Sequence, residues 1–242
     1  MKHRRRSLTI MLTIVICAAT LSADDANPPV SSGDANSPAG KEKLDFYRKR
    51  LREYRLFVEG RGDKPCEFNE DPLTRWDNPI SQNGDGLMFL WTDRGRPVVV
   101  MNCHYNVQSQ NWGRVFVSLT DRPIEMRHGD QPFWKPHRPG NKFKPLDDAK
   151  PPSDKASARL VQMRNIAKEF QVICNWGGKD KSDWQMRLLP PPLYRYQVLE
   201  EGVVDGAMFG YVHPHGGDRR PQGLMQVAPL KSLSGLTPLG AA

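Results

Sequence analysis

Residues 87–105 read LMFLWT, then DRGR, then PVVVMNCHY. Two apolar runs rich in β-branched and aromatic residues flank four polar residues that include Gly95. That is the pattern of a β-hairpin: β-formers on either side of a short connection in which glycine supplies the turn. The next segment continues it. Val115, Val117 and Leu119 alternate with Arg114, Phe116 and Ser118, which predicts a third neighbouring strand, half-buried.

Upstream of the hairpin, Leu56-Phe57-Val58 is a further candidate strand ending at Gly60, and Leu44, Tyr47, Leu51 and Tyr54 recur at helical spacing. The other faces of that helix carry Lys43, Arg48, Lys49, Arg50 and Arg52, a solvated basic side. Downstream, residues 121–154 bring prolines and lysines with little periodicity and read as a long surface loop pinned by Phe133, Trp134 and Phe143. A second helix follows, capped by Ser153 or Asp154, with Leu160, Met163, Ile166, Ala167 and Phe170 as its apolar stripe. Short strands are then expected at 172–174, with a turn at Gly177-Gly178, and along Trp184, Met186 and Leu188. A hairpin of 193–199 with 207–212 should turn across Glu201-Gly202 and Asp205-Gly206, and a last strand should run over 224–227. Pro190-Pro191-Pro192 bars any central strand at that point. Many short strands, two helices and no regular βαβ alternation predict one α+β domain, mainly an antiparallel β-sheet with two packed helices.

The ends of the chain bear on location. Lys2, His3, Arg4, Arg5 and Arg6 precede an apolar run over 8–19 and the small residues of Leu21-Ser22-Ala23. This is the layout of a cleavable secretory signal over residues 1–23, with an apolar core too short to remain as a membrane span. Arg5-Arg6-Ser7-Leu8 partly resembles a twin-arginine signal, but Thr9 stands where a second apolar residue is expected. The expected organisation is a signal peptide at 1–23, a disordered spacer at 24–40, a globular α+β domain at 41–228 and a disordered tail at 229–242. The expected location is secreted or periplasmic.

Charge narrows the function classes. The chain has 35 basic and 27 acidic residues and a formal charge of +8. Four of the basic residues lie in the signal, so the remainder carries +4. Half of the basicity therefore belongs to the leader, and no nucleic-acid partner is expected. Without the signal, Cys66, Cys103 and Cys174 remain, an odd number with no metal-type spacing; one disulfide plus a thiol, or three thiols, both fit. No phosphate loop, GxSxG elbow, HExxH or SxxK motif occurs.

The candidate chemistry is sparse. Asn102, His104 and Asn106 alternate on one strand face and could line a polar site with a general base, Arg187 adding a charge; the solvated outer face of an edge strand explains the same pattern. His213, Pro214, His215 and Asp218 give two histidines and a carboxylate within a turn, a weak metal candidate lacking a third ligand of diagnostic spacing, so no metal and no cofactor are expected. Glu67, Glu70 and Asp71 crowd one segment, read as a hydrated acidic loop or, less commonly, a carboxylate pair. Arg61-Gly62-Asp63 matches an integrin-type tripeptide and also a plain turn. Trp76, Trp112, Trp134 and Trp176 lie in turn-like contexts, where they could form a stacking platform for an envelope glycan or act as lids over a core.

Three stretches carry a resemblance. They are Leu73-Thr74-Arg75-Trp76-Asp77-Asn78-Pro79 with residues 86–97; Gln162-Met163-Arg164 with Glu169-Phe170; and Arg187-Leu188-Leu189-Pro190 through Tyr194-Arg195-Tyr196 to Asp205-Gly206-Ala207-Met208-Phe209. Over residues 55–212 or so the chain resembles a family of uncharacterised secreted proteins of planctomycete bacteria. The resemblance implies an extracytoplasmic setting and carries over no catalytic residue. The sequence thus points to an exported binding or structural domain of the cell envelope; an envelope hydrolase or isomerase working around His104 is the alternative.

Overall fold

The computed structural model describes residues 37–78, 83–106, 111–143, 146, 150–174, 183–214, 221 and 223–228. The expected signal peptide, most of the spacer and the expected tail lie outside the described residues, as does the turn at Gly177-Gly178.

The hairpin forms as read. β3 (Asn83–Asp93) and β4 (Arg96–Asn106) pair in antiparallel register with Asp93 opposite Arg96, leaving Arg94 and Gly95 as the turn. Both turn residues have positive φ, 51° and 83°, the left-handed pair that matches the twist of a two-residue hairpin. β2 (Glu67–Asn78) adds to the β3 side and β5 (Asn111–Ser118) to the β4 side, in the order β2-β3-β4-β5. Every residue of 86–92 and of 97–103 is buried. An unbroken buried run, rather than alternation, means that both faces of this central sheet are covered.

The first face meets helix α1 (Pro38–Leu51) and a second sheet made of β1 (Tyr54–Val58), β6 (Ile124–His128) and β7 (Gln131–Trp134). Leu87, Phe89, Trp91, Val99, Met101 and Cys103 pack there against Tyr47, Leu51, Leu56, Ile124, Met126 and Trp134. α1 starts earlier than expected. Ser37 Oγ accepts from the Gly40 amide at 3.0 Å and Pro38 fills the first turn, so residues 37–40 cap and open the helix instead of ending a spacer. Tyr54 does not extend the helical stripe; it opens β1.

The expected loop over 121–154 is corrected in part, since β6 and β7 form a hairpin within it. Gly129, at φ 59°, makes its turn. Few apolar residues and frequent prolines hid these strands; the apolar positions Ile124 and Met126 alternate over one short span only.

The second face of the central sheet meets a third sheet. β12 (Val203–Val212) is its spine, with β13 (Gly223–Val227) along one edge and both β10 (Arg187–Leu188) and β11 (Tyr194–Val198) along the other. Pro190–Pro192 interrupt that outer line, where a missing N–H costs no internal hydrogen bond. The residues expected to form one strand through Trp184, Met186 and Leu188 divide between β9 (Trp184–Gln185), which pairs with β8 (Ile173–Cys174), and β10. A single 3-10 turn at Leu199–Glu201, closed by Gly202 at φ 74°, joins β11 to β12, so Asp205-Gly206 lies within the strand. Met88, Leu90 and Val100 pack with Leu119 and Met208 across the two sheets. Gln226 adds a polar tie, accepting from the Tyr196 hydroxyl at 3.1 Å and donating to the Leu119 carbonyl at 2.8 Å.

Helix α2 (Ala156–Glu169) covers the far side of the third sheet, placing Met163 and Ala167 against Ala207, Phe209 and Val227. Its N-cap is Lys155, with no capping side chain; neither Ser153 nor Asp154 caps it. Arg159 takes over, donating to the Ser153 and Asp154 carbonyls at 3.0 and 2.8 Å and to Asp205 Oδ2 at 3.1 Å. Phe170 follows the helix as its C-cap and is half-buried, so it does not extend the core stripe as the spacing predicts. The α+β class, mainly antiparallel in a single domain, is the observed architecture.

Candidate functional site

Strand β4 presents Val100, Asn102 and His104 on the face toward the third sheet, and Val99, Met101 and Cys103 on the other. β4 is an interior strand, not an edge, and Asn102 is only 7% exposed. The expected solvated outer face is therefore corrected: of the two polar residues Asn102 is buried and His104 half-buried.

His104 belongs to a row across four strands, Trp76 opposite Gly86, Gly86 opposite His104, and His104 opposite Gly113. The two glycines let the two rings lie flat. A methyl group added to Gly86 would stand 2.2 Å from the Trp76 indole, and one on Gly113 would stand 2.7 Å from His104 Cε1. The ring centroids of Trp76 and His104 are 5.7 Å apart at 49°. The next row along the sheet is Thr74, Met88, Asn102 and Val115. The Thr74 hydroxyl is turned to the Arg75 carbonyl at 3.3 Å. Asn102 Oδ1 is shielded from solvent and accepts no hydrogen bond from the described residues. A buried amide oxygen without a donor costs about 1–3 kcal/mol, so this position gives up stability.

The other expected residues do not join this row. Arg187 is exposed on β10, an outer strand of the third sheet. Asn106 closes β4. His213 follows β12 and packs beside Trp184, with ring centroids 5.0 Å apart, while His215 and Asp218 lie outside the described residues. Among the described residues no three His, Cys, Asp or Glu side chains group to hold a metal ion.

The acidic segment is strand, not loop. Glu70 takes a bidentate pair from Arg52, 2.7 Å to each oxygen, and Asp71 accepts from Arg48 at 2.7 Å, so these carboxylates fasten β2 to α1. The Arg52 hydrogen bonds hold the Glu70 carboxyl below its ordinary range. Arg61 of the Arg-Gly-Asp tripeptide pairs with Asp93 at 3.0 Å and with Glu201, and so belongs to an ionic clamp between two turns. Cys66, Cys103 and Cys174 are all thiols. Burial, with Asp93 nearby, pushes the Cys66 thiol up to about 12, which keeps it protonated and non-nucleophilic at neutral pH. Trp76, Trp91, Trp112 and Trp134 are core, each at most 7% exposed, so Trp76, Trp112 and Trp134 form no open stacking platform; Trp176 lies outside the described residues.

The chain matches no family model, no curated protein and no solved structure.

Sequence patterning alone singles out Asn102 and His104 but misses Trp76 as the partner of His104. Gly86 and Gly113 carried the available signal: a glycine inside a strand marks the close approach of another group.

Proposed function

We propose that this chain is an exported binding or structural domain of the cell envelope. The observation that carries it is the His104 row. The imidazole lies on Gly113 and against Trp76, held in place by packing on a rigid sheet. A fixed polar group beside a buried, unsatisfied amide suits recognition. Arg187 stands exposed on another sheet, which weakens the hydrolase or isomerase alternative built on the same three residues. Export is supported by the basic n-region, the apolar run over 8–19 and the small residues before Asp24.

The test is direct. Expression of the full chain in a bacterium with two membranes should place it outside the cytoplasm with Asp24 as its new N-terminus. Recovery from the cytoplasm with Met1 intact overturns the export reading. Co-sedimentation with envelope material that survives salt would support the binding reading, and its absence would leave a structural role.

A further inference from the structure

Three turns meet at one end of the molecule and carry a surface that the core does not use. The segment after β1 brings Arg61, the β3–β4 hairpin brings Asp93, Arg94 and Arg96, and the 3-10 turn between β11 and β12 brings Glu200 and Glu201. Arg61 pairs with Asp93 at 3.0 Å and with Glu201, Arg96 pairs with Glu201 at 2.8 Å, and Arg94 pairs with Glu200. These three guanidiniums and three carboxylates sum to zero on a chain whose formal charge is +8. Gly95 seats the hairpin turn against β11, where an added methyl group would stand 3.4 Å from the Gln197 carbonyl oxygen. The turns are thus held in place before anything meets them, which lowers the ordering cost of a contact made there.

Apolar side chains stand in the open on this frame. Leu199, which begins the 3-10 turn, is 69% exposed, the most of any large apolar residue described. Phe143 is 36% exposed, with its ring 5.4 Å from the Arg96 guanidinium. A single exposed leucine is ordinary. Here a leucine and an aromatic ring are joined through one Arg96–Glu201 pair, and an apolar centre with arginine and a charged margin is the make-up of a protein–protein contact.

The charge pattern selects the partner. The outermost pair is Arg94 and Glu200, with side chains 45% and 52% exposed. A strongly acidic or strongly basic partner gains little from a patch of balanced sign. A second copy gains twice, because a two-fold axis through the patch sets Arg94 of each copy against Glu200 of the other. We propose that this end of the molecule is a contact surface for a second copy of the chain, arranged about a two-fold axis, with Leu199 and Phe143 at its centre and Arg94 and Glu200 paired across it. The apolar centre is small, so the dimer is weak and reversible, with a dissociation constant on the order of 10–100 µM. This goes beyond the envelope reading and does not depend on it.

Sedimentation velocity of the full chain without its signal, from about 5 to about 500 µM, brackets that affinity. The native protein should pass from monomer to dimer over this range. Leu199→Asp should stay monomeric throughout, and because Leu199 is exposed its melting temperature at the lowest concentration should match the native one. Arg94→Glu and Glu200→Arg each set like charges against one another across the axis, so each alone should weaken dimerisation by about tenfold or more. An equimolar mixture of these two variants should restore it, since an acidic outer pair then faces a basic one. Pairing within a single copy cannot produce that rescue. If a reversed variant does not fold, the native protein and Leu199→Asp decide alone. A native protein still monomeric at the highest concentration, a Leu199→Asp variant that dimerises like the native protein, or a mixture no better than its components overturns the proposal. A monomeric native protein whose melting temperature drops in Leu199→Asp overturns it as well, and shows that the leucine is covered by its own chain.

Discussion

The central sheet has two buried faces that are built differently. The first carries Leu87, Phe89, Trp91, Val99, Met101 and Cys103, apolar from end to end, under α1 and the sheet of β1, β6 and β7. The second begins in the same way, with Met88, Leu90 and Val100 under Met208, and then turns polar at Asn102 and His104. One face gives all of its area to packing. The other stops short, accepts an unsatisfied amide, and makes room for two flat rings with two glycines. Local departures from good packing in an otherwise consistent core are where function is usually kept.

The strongest way to break this contrast is to cut one residue from each face. Trp91 is fully buried, with the Phe68 ring 4.9 Å away, and Trp91→Ala should cost about 3–5 kcal/mol through lost burial and the cavity left behind. His104→Ala should cost well under half of that. Urea midpoints measure both. Equal losses would mean that the second face depends on packing as heavily as the first.

A second test concerns how each face is roofed. α2 is tied to the third sheet by Asp205, whose side chain is 4% exposed and accepts from Arg159 at 3.1 Å and Arg195 at 2.6 Å. Removing one partner of a buried pair strands the others. Because Arg195 is 38% exposed and can turn to water, Asp205→Ala should cost about 2–3 kcal/mol, below the full penalty of a wholly buried pair. A loss of only a few tenths would show that α2 is held by its apolar stripe alone.

The ring row gives a smaller and more local effect. Gly86→Ala drives a methyl into the Trp76 indole, which must swing away from its place beside His104. The cost should be about 1–3 kcal/mol, as for other overpacked sites. Its signature is a changed ring-proton shift of His104 in NMR, with signals of the first face unmoved. An unaltered His104 signal would show that the indole does not set the position of the imidazole.

The contrast between the faces also explains what the sequence could tell. The hairpin was legible because β-branched runs and Arg94-Gly95 encode it locally. That its sheet is buried on both sides was written in the unbroken LMFLW and PVVVM, yet alternation in β5 suggested one wet face. Trp112 and Phe116 turn to the first face and Val117 to the second, so the alternation there separates two cores rather than core from solvent. Asn102 and His104 were visible as a period-two polar pair, but their burial depends on the third sheet, more than eighty residues further along the chain. The ion pairs of Glu70 and Asp71 were hidden for the same reason: the sequence shows charges, and only the fold brings Arg48 and Arg52 to them.

Those pairs supply the smallest and most conditional effect. Arg52 donates two hydrogen bonds to Glu70 at the exposed margin of the first face and lowers its carboxyl from the ordinary value of 4.5. A carboxyl whose folded value is lowered stabilises the fold above its unfolded value, and that contribution is lost as the pH falls through the folded value. The native protein should therefore melt slightly above Glu70→Gln at pH 7 in low salt. The gap should close as the pH falls below 4.5, because protonated Glu70 and glutamine then offer Arg52 similar neutral acceptors. Added salt at pH 7 should narrow it as well, since both partners are in water. Thermal melts of the two proteins across pH 3–7 decide it. A gap that stays constant with pH would show that Glu70 acts through packing rather than charge, and that α1 is held on the first face without help from its ionic margin.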